Sequence, residues 1–326
     1  MTTDKLAPDG QFALNRRELL RHGGLAAAAL SAGTFAAAPV RAQQQAAPVD
    51  GRGPVWTPIP MPDPVAQTEG KADIGGGEHL YYWDTGGDGE PLVLMHAGTG
   101  SAASWGYQQP YFAKAGYRVI AYSRRSYLGS SAGDKNNPGL GAEDLGKLLD
   151  HLGIDKAHIL AAAHGGYFAL DFALMHPERV RSLTLLSSLM GIKDEDYNAV
   201  GKRIRPDFFR TLPHSFQELS PSYRAGDPHG LELWEKLAEE ALPGERVNPA
   251  LSEPNTWARI ETLACPTLLI TGDGDLYLPP AMLRMQAQHI ARAEVRIIDE
   301  AGHCANWERP DVFNAMLLDF LKRNAA

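Results

Sequence analysis

The stretch His158-Ile159-Leu160-Ala161-Ala162-Ala163-His164-Gly165-Gly166-Tyr167-Phe168 constrains this chain more than any other. Ile159 and Leu160 sit in an unbroken apolar run, as strands covered on both faces do. Two glycines follow, and they let a helix start against that strand with no Cβ in the way. The stretch therefore reads as a buried strand, a sharp turn and a helix. Such a unit belongs in a mostly parallel sheet with helices on both faces.

The same alternation begins at His79. Residues 79–84 alternate as a strand and run into Gly86-Gly87-Asp88-Gly89, a hairpin-type turn. Residues 91–95, 118–122, 180–186, 266–270 and 294–298 read as further strands. Leu145, Leu148, Leu149 and Leu152 recur at helical spacing before Gly153, and Phe313, Met316, Leu317 and Phe320 form the apolar face of a closing helix. Between 193 and 262 the alternation stops. That segment is polar, is punctuated by Pro206, Pro213, Pro221 and Pro228, and reads as an inserted cap. The expected organisation is an α/β core from 71–192 and 263–326, a small helical cap at 193–262, a Gln-, Ala- and Pro-rich linker at 43–70, and a leader at 1–42.

The leader carries Arg16-Arg17, then an alanine-rich run free of acidic residues, then Val40-Arg41-Ala42. That resembles a twin-arginine export signal, and the expected location is periplasmic or secreted. The run is short and alanine-rich for a spanning helix, so no stable membrane anchor is expected. A net charge of −8 argues against a nucleic-acid surface, which needs a basic patch. The two cysteines, Cys265 and Cys304, fall at opposite ends of the expected sheet and read as free thiols.

Chemistry enters at the strand ends. His96-Ala97-Gly98-Thr99-Gly100-Ser101 follows a buried strand, and Ser123-Arg124-Arg125-Ser126-Tyr127 follows another. The strand–turn–helix then lays Ala161, Ala163 and Gly165 on the G-x-S-x-G nucleophile pattern. Gly272-Asp273-Gly274-Asp275 and Ala301-Gly302-His303 close later strands. Taken in this order, the motifs from Pro91 to Leu321 resemble the α/β-hydrolase superfamily.

The resemblance implies a role for each position. Ala163 stands where the nucleophilic serine belongs, His303 where the base belongs, and Asp275 where the acid that orients it belongs. Asp273 competes for the acid, but the spacing favours Asp275 and leaves Asp273 as a turn former. The backbone N–H of His164, with that of Gly98 or Thr99, would hold the oxyanion. His96 is expected to hydrogen-bond backbone. The His164 side chain is expected to be structural or to touch substrate, and Arg124 and Arg125 to pair with acids inside the fold. Trp105, Tyr107, Tyr127 and Met190 are the candidate pocket residues. The partner implied is a small-molecule ester or lactone. No H-E-x-x-H, cysteine cluster or phosphate loop occurs, so no cofactor or metal is expected.

A methyl group cannot attack a carbonyl, and two readings of Ala163 stay open. In one, the chain is a serine hydrolase with its nucleophile replaced, an inactivated or trapped form. In the other, it is a ligand-binding pseudo-hydrolase, or a cofactor-free lyase or isomerase that uses His303–Asp275 as a base alone.

Overall fold

The computed structural model describes residues 57–325. The proposed leader at 1–42 and residues 43–56 of the expected linker lie outside them. Strands run at β1 (Thr68–Gly75), β2 (Glu78–Asp84), β3 (Pro91–Met95), β4 (Arg118–Tyr122), β5 (Ala157–Ala162), β6 (Val180–Leu186), β7 (Thr267–Gly272) and β8 (Ala293–Ile298). They form one eight-stranded sheet in the order β1-β2-β4-β3-β5-β6-β7-β8. β1 and β2 pair antiparallel, β2 joins β4 antiparallel, and every later pair is parallel.

Successive side chains on the central strands point to opposite faces, and each face has its own core. Val93 and Met95 meet Ile159, Leu145 and Phe168 on one side. Leu92 and Leu94 meet Leu160, Phe313 and Leu317 on the other. Helices α2 (Gly141–His151) and α3 (Gly165–Met175) cover the first face, while α1 (Gln109–Lys114) and the closing helix α11 (Pro310–Arg323) cover the second. Each fully buried Leu or Ile contributes about 1.5–3 kcal/mol, so this two-sided burial is the main force fixing the sheet.

Two features differ from the sequence reading. The glycines after β2 do not close a hairpin, because β2 pairs with β1 and β4 and β3 lies beyond β4. The actual hairpin turns at Gly75, Gly76 and Gly77, all with positive φ, where no side chain is easily placed. The segment assigned to a linker also packs. Tyr107 Oη donates to Ile59 O at 2.7 Å, Val65 exchanges hydrogen bonds with the Gln109 side chain, and β1 begins at Thr68.

Between β6 and β7 the chain forms α4 (Glu195–Ile204), α5 (His214–Glu218), α6 (Pro221–Gly226), α7 (Pro228–Glu240) and α8 (Trp257–Ile260). The β7–β8 connection carries α9 (Pro280–Ala287), and α10 (Ala305–Glu308) precedes α11. Among the described residues, no helix is long and apolar enough to cross a membrane.

Candidate active site

The turn from β5 into α3 is held in a strained backbone. Ala163 has φ +47, a left-handed conformation that costs an ordinary residue about 1–2 kcal/mol. Neighbours impose it: the Ala163 N–H donates to Leu186 O at 2.8 Å, and its carbonyl accepts from Gly166 N–H at 3.1 Å. The glycines that follow are demanded by close approach. A Cβ on Gly165 would lie 2.7 Å from His96 O and 2.8 Å from Met95 O, and one on Gly166 would lie 2.4 Å from Ser188 Oγ.

His303 and Asp275 come together across the ends of β7 and β8. His303 Nδ1 lies 2.9 and 3.0 Å from the two Asp275 oxygens, and both side chains are buried. The carboxylate is itself fixed by Thr271 Oγ1 and by the N–H groups of Tyr277 and Leu278. Asp273 is exposed, and it is Asp275 that bonds His303. Burial by itself pushes the Asp275 carboxyl up, but the His303 charge and these hydrogen bonds bring it below the usual range. Burial likewise pushes His303 down, and the Asp275 carboxylate outweighs it, leaving the imidazole raised above 6.5.

The cap fastens this histidine. His303 N–H donates to the Glu218 carbonyl at 2.7 Å, and the Glu218 carboxylate accepts from Thr99 Oγ1 at 2.8 Å. Glu308 is buried and accepts from Gly302 N–H at 2.9 Å and Ser220 N–H at 2.7 Å. One acid thus ties the oxyanion-type loop to the cap, and another ties the histidine loop to it. Nothing in the sequence around Glu218 announces this; the contacts span more than eighty residues. Cys304 is the nearest thiol. Burial and the neighbouring Glu218 and Glu308 push it well above its ordinary value, so it stays protonated and is no substitute nucleophile.

Two cavities meet at Ala163 and His303, and Ala97 and Thr99 line both. The first is apolar, walled by Trp105, Trp234, Leu237 and Trp307. The second, of about 230 Å³, is the more polar of the two and holds Gly98, His164, Arg210, His214, Glu218 and Arg246 beside apolar Leu189. Ala163, His303, Gly98, Thr99, His164 and Trp105 therefore converge.

Three candidates do not face the cavities. Tyr107 packs edge-on against Trp307 at 5.4 Å. Tyr127 lies behind the loop and donates to Gly98 O at 3.1 Å. Met190 is fully buried in the core with φ +55 at a turn after β6. Arg125 pairs with Asp144 at 2.7 Å and with Glu78. Arg124, expected to behave likewise, has no carboxylate partner among the described residues; it contacts His96, His164 and backbone carbonyls instead. Cys265 and Cys304 are free, and no cluster of metal-ligating residues occurs among the described residues.

A mostly parallel sheet, a strained strand–helix turn and a His–Asp pair at the strand ends above it define an α/β-hydrolase. Residues 90–310 match the family described by the α/β hydrolase fold, and the chain belongs to that family as an α/β-fold hydrolase. It is 30% identical over 289 residues to a 2-hydroxy-6-oxononadienedioate/2-hydroxy-6-oxononatrienedioate hydrolase of Paraburkholderia phymatum, a match covering 80% of this chain and 99% of that one. A thermophilic esterase from Thermogutta terrifontis superposes with a TM-score of 0.65 at 22% identity, covering 80% of this chain and all 100% of the esterase. An N-acyl homoserine lactone degrading enzyme, Est816, superposes with a TM-score of 0.63 at 25% identity, covering 77% and 100%.

Proposed function

We propose that this chain carries the site of a carboxylic-ester or lactone hydrolase in which alanine replaces the attacking serine, so that ester binds but no acyl-enzyme forms. The observation that carries the reading is Ala163 itself. A non-glycine residue is held at φ +47 on the strand–helix turn, in cavities it shares with His303. Strain of this kind persists where the surrounding structure enforces it, and it aims a side chain out of the turn. Asp275 holds the ring through Nδ1, which leaves His303 Nε2 to take a proton from an attacking oxygen. The N–H groups of His164 and of Gly98 or Thr99 receive the oxyanion. A relative that degrades an N-acyl homoserine lactone supports the substrate class, and the joined cavities suit a molecule with one apolar and one polar end.

A second reading is favoured by the polar cavity. Arg210 and Arg246 line it, and the relative named for 2-hydroxy-6-oxononadienedioate acts on a dicarboxylate. An anionic carbonyl compound bound there would meet the His303–Asp275 pair as a base alone, in lyase or isomerase chemistry.

Restoring the oxygen separates the two. Ala163→Ser should hydrolyse p-nitrophenyl butyrate and a lactone at least ~10²-fold faster than the unchanged chain, because triad members act as a unit. It should be labelled by an organophosphate, and adding His303→Ala should abolish both results. An Ala163→Ser protein inert to a broad ester panel and to the reagent sinks the hydrolase reading and leaves the base-only one. The paired arginines before Ala42 support export; recovery from the periplasmic fraction, lost when Arg16 and Arg17 both become Lys, is the test.

A further inference from the structure

Behind the turn sits a buried cation without an acid. Arg124 is 3% exposed, and its guanidinium is wedged between the rings of Tyr127 and Phe168, with its carbon 4.8 and 5.4 Å from their centroids. It makes no ion pair among the described residues. Its Nη2 donates to the carbonyls of Ala97 at 3.1 Å and His96 at 3.3 Å, and its Nη1 lies 3.0 Å from His164 Nδ1. A guanidinium has only donors. The Arg124–His164 contact is therefore a hydrogen bond only if His164 Nδ1 is bare and accepts. The proton of the neutral ring must then be on Nε2.

The same logic fixes its neighbour in the opposite tautomer. His96 Nε2 accepts from the backbone N–H of Arg124 at 3.0 Å, so His96 Nδ1 carries the proton and donates to Ala97 O at 2.7 Å. The 3.4 Å approach of Arg124 Nη2 to His96 Nδ1 is then a contact between donors, not a hydrogen bond. His96 is thus used up inside the protein. His164 is not: its Nε2 has no protein partner among the described residues, and the residue lines the polar cavity beside Arg246, Arg210 and His303.

We propose that the His164 side chain is a neutral hydrogen-bond donor to a negatively charged substrate oxygen in the polar cavity, with Arg124 as the positioning residue that locks its tautomer. The proposal rests on the reading of this cavity as the substrate site. Protonation of His164 is opposed by burial, then by the charges of Arg124 and Arg246, which lower its pKa to about 3. The ring therefore stays neutral across the working range. A neutral imidazole loses no proton to the anion it binds, and donation from Arg124 into Nδ1 polarises the N–H on the far side. Arg210 and Arg246 on the wall, with Arg124 behind it, outnumber the Glu218 carboxylate on the same wall and bias this half of the site towards anions, and His164 supplies a directed donor within that field.

The test uses the full chain with benzoate as the anionic probe. Long-range ¹⁵N–¹H spectra of the ¹⁵N-histidine protein near neutral pH should show His164 as the Nε2–H tautomer, unprotonated down to pH 5. Benzoate should bind to the unchanged chain and shift the His164 Nε2 resonance. His164→Leu should weaken benzoate roughly ten- to a hundred-fold, the worth of a hydrogen bond to a charged group. His164→Gln, which places an amide N–H near the position of Nε2, should recover most of that loss. Arg124→Met should leave benzoate bound more weakly and His164 in mixed tautomers. An Nδ1–H tautomer, a His164 that titrates near neutrality, unchanged affinity in His164→Leu, or no benzoate binding by the unchanged chain each overturns the proposal. The tautomer is read without turnover, so failure of Ala163→Ser as an esterase and failure of this assignment are separate results.

Discussion

In the proposed mechanism His303 acts as a base only while its Nε2 is unprotonated, and its surroundings hold its pKa above the usual 6.5. The sign of the pH effect follows. As pH falls through the raised value the ring gains its proton and catalysis stops, so the acid limb of Ala163→Ser activity should have its midpoint above 6.5. Asp275→Asn removes the charge that raises the ring and the acceptor that fixes its tautomer. The rate should fall roughly 10³–10⁴-fold, with the acid limb moving down. A pH–rate profile of both proteins checks this, and a limb unmoved by Asp275→Asn would assign the titration to another group. At this scale the sequence was informative where spacing encodes the chemistry. His303, Asp275 and the turn at Ala163 follow from their order along the chain. Tyr107, Tyr127 and Met190 lie away from both cavities, which spacing does not reveal, because whether a buried aromatic or methionine faces a cavity or a core depends on long-range packing. Arg124 differs from Arg125 for a similar reason: adjacency predicts a shared role, but only Arg125 reaches Asp144, while Arg124 bonds His164 and backbone carbonyls.

Elements were legible in proportion to their apolar pattern. β3, β4 and β5 are dominated by apolar residues, β6 keeps Val180, Leu183, Leu185 and Leu186 among its polar ones, and the observed ranges coincide closely with the expected ones. β1 escaped because it is an edge strand, mostly exposed, with Thr68-Glu69-Gly70-Lys71 at its start. The joint between cap and core was invisible in sequence, because it is made by single acids bonded to a hydroxyl or a backbone N–H more than eighty residues away. Glu308 shows what such a joint carries. Its carboxyl receives the N–H of Gly302, beside the catalytic candidate, and that of Ser220, which caps α6. Burial pushes its pKa up to about 7, against the pull of those donors. Glu308→Ala leaves buried N–H groups without this acceptor, at about 1–3 kcal/mol each. The expected outcome is a melting temperature lowered by several degrees, and loss of esterase activity from Ala163→Ser even at temperatures where the variant is folded. Activity unchanged at such a temperature would show that α10 does not position His303.

For the whole molecule, the reading of Ala163 as a replaced nucleophile predicts that binding and turnover come apart. The sheet, the cap and the joined cavities are complete with an alanine at the turn, so an ester that fits should stabilise the folded chain by mass action without being consumed. At about 100 times its dissociation constant a ligand adds roughly 2.7 kcal/mol. For a domain of this size that is a rise in melting temperature of about 5 °C. The unchanged chain should hold that rise for as long as the mixture is incubated before heating. Ala163→Ser should show it only briefly, then lose it as the ester is hydrolysed and the weaker-binding products replace it. Thermal scans with p-nitrophenyl butyrate after increasing incubation, with nitrophenolate release followed in parallel, give both quantities from one sample. A shift that decays in the unchanged chain at the same rate as in Ala163→Ser would mean that the serine is not what turnover lacks. Water activated by His303 would then be the attacking group, and the reading of Ala163 as a missing nucleophile would fail.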